Sequence, residues 1–212
     1  MLRLVSKDVH RAMLFTAKTF VESEPTSKAL KLTPCDFITT FSDVMKKSVE
    51  SGYSFAVQNT DGDIVAQSLS LPFSTFSSAI YFHVREAEPM LNLFSQLDKY
   101  IPPDDTIVVF AISSTVSNKG LASTLLERTI RQASRDGYST IMGDCTNFKS
   151  QNMFKKHGFH RRAEIEYKTF KYGITTPFRD IKDTRGVQRM ILDLSTMLEH
   201  ENDISSSRVY TW

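Results

Sequence analysis

The stretch AISSTVSNKGLASTLLERTI, residues 111–130, joins two features that together handle anions. A β-branched, apolar run, TIVVFAISSTV, leads through Gly120 into a segment whose apolar residues Leu121, Leu125, Leu126, Ile130 and Ala133 keep helical spacing. A buried strand turning through a glycine into a helix aims free backbone N–H groups at the turn. With the positive end of the helix dipole they form an anion seat. Ser117, Asn118, Lys119, Gly120, Leu121 and Ala122 make up this turn. An ordinary strand-to-helix loop has the same outline. The turn matches neither GxxxxGK[ST] nor GxGxxG, having one glycine. Cys145, at the end of STIMGDC, is either a nucleophile or a small inert core residue. The five histidines have no partner at metal-ligand spacing, so no metal site is predicted.

The elements that position these residues follow from periodicity. Residues 2–5 alternate like a short strand, and helical spacing begins near Lys7 and ends at Pro25. A second amphipathic helix places Phe37, Phe41, Val44, Met45 and Val49 on one face, with Gly52 just past its end. Residues 53–73 read as a hairpin about Asp61-Gly62. EPMLNLFSQLDKYI reads as a helix. After it come the buried strand, the Gly120 helix ending near Gly137, the STIMGDC strand and a short helix closed by Gly158. Two strands near 162–170 and 187–194 complete the order. The fold class is a mixed α/β layer fold. One domain over 1–196 is expected, with 197–212 a polar tail.

Composition narrows the classes. The 26 basic and 24 acidic residues are interspersed, giving net charge +2, so no basic face for nucleic acid is expected. The run from Lys155 to Arg162 reads as a solvated helix end. Two cysteines make no disulfide framework and suit a reducing, cytoplasmic setting. No 18-residue apolar segment exists, so no membrane partner is expected.

The order strand, x-x-Gly-x-Ala, helix, strand, Asn-containing helix ending in Gly-Phe resembles the GCN5-related N-acetyltransferase (GNAT) fold. SNKGLA stands where that family has Gln/Arg-x-x-Gly-x-Gly/Ala, with Ser117 replacing Gln or Arg. In NFKSQNMFKKHGF, Asn147, Ser150, Phe154, Gly158 and Phe159 fall on the later family motif. The resemblance implies a central, mostly antiparallel sheet flanked by helices, with a splayed strand pair at an acyl-CoA site. It implies acetyl-CoA as co-substrate, held by Phe110, Ala111, Ile112, the 117–122 turn, Asn147, Ser150 and Phe154. FVESEPTSKALKL is similar to a segment of insect-type arylalkylamine N-acetyltransferases. That narrower likeness places Glu24 on the family's general base, and Thr146 and Ser150 on its two catalytic serines.

The implied chemistry is acetyl transfer to a primary amine, which must lose a proton before it attacks. Glu24 takes that proton. Phe154 stands where many members have a tyrosine and has no proton to give, so Ser150, supported by Thr146, serves the leaving sulfur. Each has a plainer reading: Glu24 as a surface carboxylate at a helix end, Ser150 as a polar residue opening a helix. Phe20, Phe73, Phe76, Tyr81 and Phe82 form either an aromatic wall for an arylalkylamine or ordinary core. A polyamine site calls for several carboxylates, and few are expected beyond Glu22 and Glu24. A small-molecule amine acceptor is therefore the first reading. Polyamine or peptide transfer, or a non-catalytic acyl-CoA-binding regulator, remain alternatives, and the oligomeric state stays open between monomer and dimer.

Overall fold

The structure, a computed structural model, describes residues 1–82, 84–116 and 119–195. Its strands are β1 (Leu2–Arg3), β2 (Phe55–Gln58), β3 (Ile64–Pro72), β4 (Thr106–Ser114), β5 (Thr140–Cys145), β6 (His160–Glu166) and β7 (Gly186–Asp193). Its helices are α1 (Val9–Ser23), α2 (Pro25–Ala29), α3 (Pro34–Glu50), α4 (Phe73–Ser77), α5 (Glu88–Ser95), α6 (Leu121–Arg135) and α7 (Phe148–Lys156). One seven-stranded sheet runs β1-β2-β3-β4-β5-β7-β6, antiparallel except for the β4–β5 pair.

Side-chain alternation along the central strands divides the core into two layers. Val108, Met142 and Ile191 pack with Phe37, Phe41, Val44 and Leu93 from α3 and α5. Ile107, Val109, Ile141, Met190 and Leu192 pack on the other face with Leu126, Ile130 and Phe154 from α6 and α7. The expected helix stops are in place: Gly52, Gly137 and Gly158 follow α3, α6 and α7 with φ of 85°, 82° and 85°. α3 starts at a reciprocal cap, Thr33 Oγ1 accepting from Asp36 N and Asp36 accepting from Thr33 N.

Some expectations shift. Pro25 does not simply end α1. It occupies the first position of the short helix α2, where a missing N–H costs nothing. The first strand ends at Arg3, and the strand expected near 162–170 lies earlier, at His160–Glu166. The α5 segment becomes a 3₁₀ turn over Gln96–Lys99. β4 is buried on both faces only over Thr106–Val109. Its remaining residues are mostly half-buried, because they line a cleft. Among the described residues no helix is long and apolar enough to cross a membrane. The predicted tail, 197–212, lies outside the described residues.

Candidate active site

The cleft begins where the sheet comes apart. β4 and β5 pair in register only from Thr106↔Thr140 to Val109↔Gly143. Beyond that point β4 stays with β3, Ala111 opposite Leu69 and Ile112 opposite Ser68, while β5 stays with β7. Phe110 is the extra residue of a β-bulge between Val109 and Ala111, which bends the strand further. Among the described residues the β5-facing edge of β4 beyond Val109 therefore has no strand partner. A cleft of about 720 Å³ opens there.

The cleft brings together Glu24, Phe110, Ala111, Ile112, Thr146, Asn147, Ser150 and Phe154. Lys119 and Gly120 lead into α6, Leu121 and Ala122 begin it, and all four lie outside the cleft lining; Ser117 and Asn118 lie outside the described residues. Gly120 has φ of 68°, a left-handed turn, and open space where a side chain would begin. The turn can accept a large anion closely at the α6 N-terminus.

Glu24 is 6% exposed, not a surface carboxylate. It caps α2: its carboxylate accepts from Thr26 N at 2.9 Å, Ser27 N at 2.6 Å and the Thr26 hydroxyl at 2.8–2.9 Å. Three donors on a carboxylate leave one acceptor position free. Glu24, Tyr167 and Thr146 share a neighbourhood. Burial, with the Glu24 charge and Cys145 adding to it, pushes the Tyr167 phenol far up, and the Tyr167 hydroxyl donates to Thr146 O at 2.7 Å.

Asn147 caps α7 by accepting from Ser150 N at 2.9 Å, and the Ser150 hydroxyl donates to Asn147 O at 2.8 Å. Ser150 is thus both a helix-opening residue and a cleft residue. Burial pushes the Cys145 thiol well up, and a hydrogen bond with Ser150 offsets this only in part. A neutral thiol at the cleft wall is a poor nucleophile. Phe154 packs at a tilt against Phe159 and beneath Gly143, where an added Cβ would meet its ring at 2.6 Å.

Phe20, Phe73, Phe76 and Tyr81 line the cleft, whereas Phe82 is outside it and 52% exposed. Phe37, Phe41, Phe94 and Tyr100 join them, helical or loop residues whose spacing reads as core. The expectation of few carboxylates is corrected. Glu22 is exposed and off the cleft, but Asp98 and Asp144 line it with Arg189. The missed signal is a charge inside each of two apolar strands, Asp144 in IMGDC and Arg189 in GVQRMILD, which the register sets directly opposite.

Residues 91–159, from α5 through the Gly158-Phe159 turn, match the model of the acetyltransferase (GNAT) family. Over this third of the chain the sequence is similar to the GNAT acetyltransferases. Solved structures repeat the fold. Arylalkylamine N-acetyltransferase 2 from Aedes aegypti superposes with a TM-score of 0.74 at 18% identity, over 91% of this chain and 97% of that one. The C-terminal condensation domain of Ebony, solved with beta-alanyl-dopamine, gives 0.76 at 13% identity over the same shares. Drosophila melanogaster polyamine N-acetyltransferase gives 0.69 at 17% identity, over 91% and 98%. The matched segment spans the splayed strands and the α6 and α7 N-termini, whereas Phe20, Phe37, Phe41, Phe73, Phe76 and Tyr81 of the cleft come from α1, α3 and the α4 region outside it.

Proposed function

We propose that the protein transfers an acetyl group from acetyl-CoA to the primary amine of a small arylalkylamine, by direct attack with both substrates bound. The observation that carries this is one cleft holding a buried carboxylate, a hydroxyl at a helix N-terminus, an unpaired strand edge and an aromatic wall. The fit to acetyl-CoA rests on two features: the left-handed, unobstructed Gly120 turn at α6 and the free β4 edge. Acetyl-CoA supplies an activated acetyl thioester. Leu121, Ala122 and Gly120 would seat its pyrophosphate with backbone groups, Lys119 adding charge. Phe110, Ala111 and Ile112 would run along the pantetheine arm and offer N–H groups to the carbonyl oxygen.

Glu24, through a water at its free acceptor position, takes the proton that the ammonium group must lose, and the freed nitrogen lone pair then forms the N–C bond with the thioester carbon. Ser150, held by Asn147, gives a proton to the departing sulfur as the C–S bond breaks, and Thr146 stands beside it. The aromatic residues stack on the ring of the amine. Two free cysteines, one exposed, suit a cytoplasmic setting. Asp98 and Asp144 favour a polyamine as the second reading, but Arg189 neutralises much of their charge. Mass spectrometry of products from acetyl-CoA with tyramine, dopamine, serotonin, tryptamine, spermidine and a lysine peptide tests the reading. Acetylated aromatic amines are expected. A peptide or spermidine product alone would overturn it, as would CoA binding without any product.

A further inference from the structure

The cleft holds a charged cluster that the transfer itself does not use. Arg189 is 2% exposed. Its Nε and Nη2 donate to Asp144 Oδ1 and Oδ2, both at 2.8 Å. Its Nη1 donates to Leu97 O and Tyr100 O at 3.0 Å, and Nη2 to Asp98 Oδ1 at 3.1 Å. Two carboxylates on one guanidinium leave one negative charge over. It falls on Asp98, whose side chain is 65% exposed and whose Oδ2 has no partner among the described residues. Tyr81 stands near, packed edge-on against Phe41 and Phe76 at 5.9 and 6.4 Å. Its hydroxyl has no hydrogen-bond partner among the described residues. Burial, with the charges of Asp98, Asp144 and Asp43, pushes this phenol far up, so it stays a donor.

We propose that Asp98 and Tyr81 form a subsite for a ring hydroxyl, so that phenolic arylalkylamines are preferred to their unsubstituted analogues; this rests on the arylalkylamine reading above. The substrate phenol donates to Asp98 Oδ2 and accepts from the Tyr81 hydroxyl. A neutral donor suits the place better than a second cation, which would sit against the Arg189 guanidinium. The rings of Phe41, Phe76 and Tyr81 flank an aryl group rather than a polyamine chain. A site built around a hydroxyl leaves its own polar groups unpaired when that hydroxyl is missing, which is how such sites discriminate.

The test is kcat/KM for tyramine against phenethylamine, with agmatine and spermidine alongside, in the full-length protein and in Asp98→Ala and Tyr81→Phe. Asp98→Ala leaves Arg189 with Asp144 and two carbonyls, and Tyr81→Phe keeps the ring, so thermal unfolding should show both variants folded. The unaltered protein should favour tyramine by about tenfold or more, the scale of one hydrogen bond to a charged group. Each variant should pull that ratio toward one. Equal rates for the two aromatic amines, or a ratio unmoved in both variants, would overturn the subsite and leave the acetyltransferase reading standing. An Asp98-dependent preference for agmatine or spermidine would replace the phenol with a cation. No turnover of any amine would remove the arylalkylamine reading and the subsite with it.

Discussion

Glu24 carries two burdens at one position. It caps α2 through three donors, and it is the base of the proposed reaction. Glu24→Ala therefore has two separable effects. Losing the cap should cost about 1 kcal/mol, read by denaturant unfolding. Losing the base should lower kcat by roughly 10²- to 10⁴-fold, far more than that loss of stability explains. Cys145 makes the contrasting case. Its thiol is buried and neutral, so Cys145→Ala should keep kcat near that of the parent while losing about 1 kcal/mol from the second core layer. Loss of all turnover in that variant would instead reveal a covalent acyl carrier. Glu24, Thr146 and Ser150 were legible only through motif likeness. Nothing in FVESEP itself says that its second glutamate turns inward to cap a helix five residues long.

Elements were the most legible scale, because the information they need is local. Apolar periodicity and the left-handed glycine after each of α3, α6 and α7 lie within a few residues of one another. The same locality explains what was missed. α2 has no apolar face to announce it, and a proline read as a stop became a start. The turn into α6 gives this scale its prediction. Gly120 sits at φ 68° with nothing within 4 Å of the place a methyl would take, so Gly120→Ala meets backbone strain rather than a clash. It should cost about 1 kcal/mol. If the turn seats the pyrophosphate, KM for acetyl-CoA should also rise, with kcat changed less. An unaltered KM would move the anion site elsewhere. Gly143→Ala acts differently: the methyl would press on Phe154 at the splay, and overpacking of this kind costs about 1–3 kcal/mol.

The whole molecule assembles its cleft from segments far apart in the chain, and that is why its charged cluster was illegible. Asp98 and Arg189 are 91 residues apart and meet only through sheet order and the 3₁₀ turn after α5. No short-range pattern encodes that pairing. Burial of polar rings around the cleft has a global consequence. Tyr81 and Tyr167 both hold their protons far above the ordinary phenol value, burial being the larger cause in each. The unfolded chain releases these protons near pH 10, whereas the folded chain keeps them. Their contribution to stability is therefore complete below about pH 10 and is lost as pH climbs beyond it. Denaturant unfolding from about pH 8 to about pH 11.5 should give a stability that falls steeply above pH 10, and less steeply in Tyr167→Phe. A flat profile would mean that water reaches these rings.

Acetyl transfer itself is tested by following free CoA thiol released from acetyl-CoA with tyramine as acceptor, in the parent protein and in Glu24→Ala. Amine-dependent release that falls at least about a hundredfold in the variant is the predicted result. Amine-dependent release that survives unchanged in Glu24→Ala would contradict Glu24 as the base. The absence of amine-dependent release in the parent, with CoA still bound, would contradict the transfer.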